Sequence, residues 1–186
     1  MTAVTPASSY GPPNRFITTH NKDGTSVFST AISSVLEVQK ISPTLEFYLP
    51  YVTSTFPVDM AADADIDTYR SFLEGAKPGL VNKGGSILRV TDFAPGSTTA
   101  MHRTLSLDYG IVIAGEVECV LDSGESRLMK VGDMTMQRGT NHAWRVPGNE
   151  WARMIFILQE SKPLEIGGVM LKEEYGDLEN IPPSNT

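Results

Sequence analysis

The feature that most constrains this chain is a rhythm that begins at Ser86 and runs to Gln159. Short β-prone runs at 86–93, 99–104, 107–114, 116–121, 126–130, 133–137, 142–146 and 152–159 alternate with turn chemistry. The breaks are Asp122-Ser123-Gly124-Glu125, Gly132-Asp133, Arg138-Gly139 and Pro147-Gly148-Asn149. Glycine and proline at such positions end one strand and aim the next. Many short strands at this spacing predict an all-β sandwich, jelly roll or small barrel.

The segments outside this rhythm read as additions to it. Arg15–His20 and Thr25–Thr30 flank Asn21-Lys22-Asp23-Gly24, a turn in which Gly24 can take positive φ, so a hairpin is predicted. Glu46–Thr53 reads as a further strand, with Pro50 marking an edge position or a break. Asp63–Glu74 is the one short helix. Ile66, Tyr69, Phe72 and Leu73 share a face, acidic residues crowd its first turn, and Gly75 and Pro78 stop it. Glu165–Leu171 is a candidate for one more strand. The expected organisation is a disordered or loosely pinned arm over 1–14, one β domain over 15–171 and an acidic surface tail over 172–186.

Composition narrows the function classes. A length of 186 residues suits one domain with a full core. A net charge of −7 with no basic stripe excludes nucleic acid and anionic membranes as main partners. Cys119 is the only cysteine, so neither an internal disulfide nor a cysteine metal cluster can form. No apolar stretch approaches the roughly 20 residues that span a bilayer, and the first fifteen residues lack the pattern of a secretory signal. A soluble, cytoplasmic protein is expected.

Chemistry concentrates around two of the three histidines. The first segment runs from Gly96 through His102, Thr104 and Asp108 to Gly115, and the second from Gly132 through Gln137 and Gly139 to His142 and Trp144. These segments resemble the paired motifs of the cupin superfamily. The first of those motifs reads Gly, five residues, His, one residue, His, three or four residues, Glu, six residues, Gly. All its spacings are kept here, with Thr104 in place of the second His and Asp108 in place of the Glu. In the second motif the stretch after Gly132 is one residue short and Gln137 stands in the proline slot, while Gly139 and His142 fit. The resemblance covers residues 86–160. Stretches such as MHRTLSLDYG and QRGTNHAW are similar to small cupins of fungal and bacterial natural-product clusters. It implies a jelly-roll or double-stranded β-helix barrel, here with an N-terminal β extension. It also implies decarboxylation, dehydration or cyclisation of polyketide-like or aromatic intermediates.

Side chains alternate along a strand, so His102 and Thr104 face the same way, and Asp108 can return to the level of His102 across a tight turn. If His142 converges on them, two imidazoles and a carboxylate result. That set suits Fe(II), Zn(II), Mn(II) or Ni(II) with open positions. A hydroxyl at 104 and a shortened carboxylate at 108 weaken it. The competing site is metal-free, with His102 or His142 as general acid or base beside Asp108. Thr104, Gln137, Trp144 and Arg138 are the expected substrate contacts. Trp144 shares the strand parity of His142, so it can stack on an aromatic substrate or simply pack the core. Arg103 has the wrong parity and His20 lies beside a turn, so both are expected at the surface. The function classes left open are a non-oxidative lyase or isomerase, a metal-dependent dioxygenase and a non-catalytic binding cupin. The N-terminal hairpin invites a homodimer through strand addition.

Overall fold

In the computed structural model, which describes residues 7–178 and 180–184, the rhythm becomes a set of antiparallel strands. A small hairpin comes first, β1 (Thr18–His20) and β2 (Ser26–Phe28). Its turn is held by the Asn21 side-chain oxygen, which accepts from the backbone N–H groups of Asp23 and Thr25 at 3.0 and 2.9 Å. Then follow β3 (Gln39–Ser42), β4 (Leu45–Thr53), the helix α1 (Ala64–Glu74) and β5 (Ser86–Phe93). The remaining strands are β6 (Ser106–Ala114), β7 (Val117–Leu121), β8 (Ser126–Met129), β9 (Met134–Arg138), β10 (His142–Arg145) and β11 (Ala152–Glu160). A minimal hairpin, β12 (Glu165–Ile166) and β13 (Val169–Met170), occupies the place where the sequence predicts one further strand.

Two main sheets result. One has six strands in the order β3-β4-β5-β11-β6-β9 and the other three in the order β10-β7-β8. They are not joined into one closed hydrogen-bonded barrel among the described residues. Their inner faces share a core in which Val52, Ile87, Phe93, Val112 and Met154 of the large sheet meet Val117, Met129 and Trp144 of the small one. Each such side chain stabilises the fold by roughly 1.5–3 kcal/mol on burial. Gly115, at the turn from β6 to β7, has φ of 70°, and a Cβ there would stand 2.5 Å from the Trp151 carbonyl oxygen. Only glycine turns the chain at that point.

Four local expectations are refined. Pro50 marks a break rather than an edge: β4 lies between β3 and β5, and its register with β5 shifts between Tyr48 and Tyr51. The helix packs on β4, with Ile66 and Tyr69 buried and the Tyr69 hydroxyl donating to the Leu49 carbonyl at 2.6 Å. The run 99–104 forms no strand. Its pairing with β10 is limited to the bridges Thr98–Arg145 and His102–His142, which leave one extra residue on the 98–102 side, and to two bonds between Thr99 and the Trp144 backbone. That bulge breaks the ladder and sets His102 directly opposite His142. Finally, residues 1–6 of the expected arm lie outside the described residues, but residues 7–14 are not loose. Tyr10 donates to the Trp151 carbonyl, Arg153 donates to the Gly11 carbonyl at 2.7 Å, and Asn14 bridges Val35.

The acidic tail also contributes packing. Glu174 pairs with Arg103, and Tyr175, Leu178 and Ile181 rest against the main core. Among the described residues, no helix is long and apolar enough to cross a membrane.

Candidate active site

A cavity opens between the two sheets. Its first wall is the inner face of the large sheet, where alternate residues share a side: Arg89, Thr91 and Phe93 of β5, Phe156 and Leu158 of β11, and Asp108 of β6. The facing wall is His142 and Trp144 of β10 with Thr99, His102 and Thr104 of the bulged segment, and Leu178 of the tail lines it too. Its interior gives water about 50 Å³, room for about three or four molecules.

The two imidazoles stand 4.3 Å apart between ring centroids, and both are buried. Reciprocal backbone bonds across the bridge hold them there, His102 N–H to His142 oxygen at 2.8 Å and the reverse at 2.9 Å. The Nδ1 of His102 lies 2.9 Å from the Ala100 carbonyl, and that of His142 lies 2.9 Å from the Thr140 carbonyl. A carbonyl oxygen only accepts, so each Nδ1 carries the proton and each Nε2 is left with a free lone pair. Burial lowers both pKa values. For His142 burial comes first and the neighbouring His102 second, and together they bring it to about 3. Both rings are therefore neutral at physiological pH.

Asp108 is 3% exposed. Its Oδ2 accepts from the Thr104 hydroxyl at 2.9 Å, and the Thr104 oxygen accepts from the Ser106 hydroxyl at 2.8 Å. Its Oδ1 is buried with no partner in the protein. Burial drives its pKa up from 3.8 to about 6, against the opposing pull of the Ser106 and Thr104 hydroxyls. With Oδ2 committed as an acceptor, Oδ1 is the oxygen free to carry a proton.

Trp144 lines the cavity edge-on to His142 at 5.4 Å and also packs Phe156 at 5.4 Å. Thr104 lines the cavity, as its parity with His102 predicts. Two expected substrate contacts lie elsewhere. Gln137 is buried but absent from the cavity wall; its amide points to the Cys119 sulfur at 3.4 Å and accepts from the Thr140 hydroxyl at 2.8 Å. It braces the residue whose carbonyl orients His142. Arg138 ends β9 at the surface, clear of the cavity. Arg103 pairs with Glu174 at 3.3 Å, and His20 is exposed on β1.

The expected three-residue ligand set is not assembled. Among the described residues, no group of three His, Cys, Asp or Glu side chains is placed to hold a metal ion. The two Nε2 atoms suit a metal, but Asp108, one methylene shorter than Glu, is drawn to Thr104. A catalytic metal ordinarily takes three protein ligands, so the donor set falls short of one.

The residue missed from sequence is Arg89, 3% exposed yet on the cavity wall. The signal was available: Arg89 shares strand parity with Ile87 and Phe93, two inward apolar residues.

No family model matches the chain. The phomopsin biosynthesis cluster protein D of Diaporthe leptostromiformis is 51% identical over 160 residues, spanning 86% of this chain and 84% of that one. The cupin-domain-containing oxidoreductase fogC of Aspergillus ruber is 40% identical over 172 residues, spanning 88% and 80%. Among solved structures, the Schizosaccharomyces pombe Cnp3 cupin domain aligns over 80% of this chain and 88% of its own at 11% identity, with a TM-score of 0.49. With 40% identity across 80% of a relative named for its cupin domain, and with both motif histidines on one cavity, the chain belongs to the cupin-domain family.

Proposed function

We propose that the chain is a small-molecule-processing enzyme, a lyase or isomerase that moves protons on a small aromatic or polyketide-like intermediate without net oxidation. The observation that carries this reading is the pairing of unlike groups in one apolar-walled cavity. Two neutral imidazoles offer free Nε2 lone pairs, and one carboxyl with a raised pKa has an unpartnered oxygen. Groups whose environments separate an acid from a base are suited to general acid–base catalysis.

In this scheme an Nε2 of the histidine pair takes a proton from a carbon or hydroxyl of the substrate. Asp108 Oδ1–H donates to the oxygen on which charge develops, while the Ser106–Thr104 hydroxyl chain keeps Oδ2 as the acceptor. Trp144, Phe93 and Phe156 give an aromatic compound faces to pack against and keep water out. Relatives named for fungal biosynthesis clusters support a natural-product intermediate as substrate.

A second reading, an oxidoreductase, is favoured by the name of another relative, fogC. Turnover measured with an oxygen electrode separates the two. Under the proposal conversion proceeds without oxygen and falls at least about a hundredfold in His142→Ala and Asp108→Asn. An oxygen requirement selects the oxidoreductase reading, and unchanged turnover in both variants removes the site assignment.

A further inference from the structure

Among the described residues, Arg89 is a buried cation without a counter-ion. It sits on β5 in the row that runs through Phe156 of β11 to Gly110 of β6, inside the large sheet. Its Nη2 donates to the Gly79 carbonyl at 3.0 Å, its guanidinium lies 4.6 Å from the centre of the Phe47 ring, and its Nε has no hydrogen-bond partner. No carboxylate among the described residues forms an ion pair with it. The chain pairs its other buried arginine: Arg153 grips the fully buried Asp92 through both Nε and Nη2. An uncompensated charge in so apolar a place is costly to the fold. Burial lowers the pKa of Arg89 only to about 10, so it remains charged at neutral pH.

From this geometry we infer that Arg89 is the anchor for a carboxylate on the substrate, so the compound processed here is a small aromatic or apolar carboxylic acid. The guanidinium fork matches a carboxylate in shape as well as charge. Phe47 lies against the anchor and Leu45 and Leu80 line the same cavity, apolar surface that strengthens the pairing and leaves the rest of the ligand to be apolar. His142 and Trp144 stand on the facing wall, so a molecule held by its acid group at Arg89 presents its body to the histidines. This inference rests on the proposed use of the same cavity and adds the class of substrate that it takes.

The test uses the full chain and four probes: benzoate, benzamide, phenol and phenyl phosphate, titrated by calorimetry near neutral pH. Benzoate should bind the wild type about tenfold or more tightly than benzamide or phenol. In Arg89→Met that preference should vanish while the melting temperature holds or rises, because an unpaired buried charge has gone. Benzoate should raise the melting temperature of the wild type and not of the variant. Should Arg89→Met fail to fold, Arg89→Lys keeps a charge but loses the fork, and its benzoate preference should shrink. Equal binding of benzoate and benzamide by the wild type overturns the inference, as does an undiminished preference in a folded Arg89 variant. Tighter binding of phenyl phosphate than benzoate overturns the carboxylate assignment. His142→Ala must retain the benzoate preference. If that holds while turnover survives His142→Ala, the anchor stands and the proton-transfer reading fails. If the preference is absent while His142→Ala abolishes turnover, the anchor fails and the proton-transfer reading stands.

Discussion

Replacing Asp108 by asparagine should make the protein more stable at neutral and alkaline pH, and the gain should disappear in acid. The carboxyl is buried, and its pKa is raised from 3.8 to about 6. Between those values the unfolded chain has released the proton and the folded chain still holds it. Stability therefore falls as pH rises through this window, and the loss is complete above about 6. At roughly 1.4 kcal/mol for each tenfold, the charged form is disfavoured in the folded state by about 3 kcal/mol. An amide in the same place is neutral at every pH and can still accept from the Thr104 hydroxyl. The two proteins should thus be of similar stability near pH 4 and should diverge by about 3 kcal/mol near pH 8. For a chain of this size that is a difference of about 6–12 °C in melting temperature. Thermal or urea unfolding of both proteins across the range measures it, and the contributions of His102 and His142 cancel in the comparison. A gap that stays constant with pH, or a wild type that gains on the variant as pH rises, refutes the assigned burial of this carboxyl.

In nitrogen NMR spectra His142 should remain neutral, with the proton on Nδ1, to about pH 4, with a loss of stability as pH falls from 6.5 toward its midpoint of about 3, and the His102 midpoint should lie below the ordinary histidine value. A protonation midpoint near 6.5 in either ring contradicts the geometry. Gly115→Ala should cost about 1–3 kcal/mol in unfolding experiments, because the added Cβ meets backbone rather than a yielding side chain; a neutral effect would contradict the turn described here. Arg153→Ala should cost about 3–5 kcal/mol by leaving the Asp92 carboxylate buried and unpaired. The same change should release Gly11 and its neighbours to rapid hydrogen exchange, and unaltered protection there would separate the arm from this ion pair.

The strands from Ser86 to Glu160 are legible in the sequence because alternation and turn residues agree over the whole stretch, as the boundaries of β5, β6 and β11 show. His102, Thr104 and Asp108 reach one cavity although 99–104 is not a strand, because the bridge to His142 places His102 and the Thr104–Asp108 hydrogen bond joins the other two. Parity fails at Gln137. It is an inward residue of β9, but β9 is an edge strand of the large sheet, and the side chain meets Cys119 instead of the cavity. The run 99–104 has the composition of a strand, yet a strand exists only through its partners, and here a bulge limits the pairing to single bridges. The ligand triad depends on where the Asp108 carboxyl turns, here to the Thr104 hydroxyl, which spacing does not encode. Arg89 stands outside both histidine motifs, because the cavity borrows its cation from a different strand.

The most direct test of the proposed chemistry is the change in mass between substrate and product. The compound that accumulates when this protein is withheld from its pathway would be given to the purified chain without oxygen. Conversion is expected, with a product of the same mass or one lighter by water or carbon dioxide, and no conversion by His142→Ala. A product that has gained oxygen or lost a pair of hydrogens, formed only when an oxidant is supplied, would contradict it.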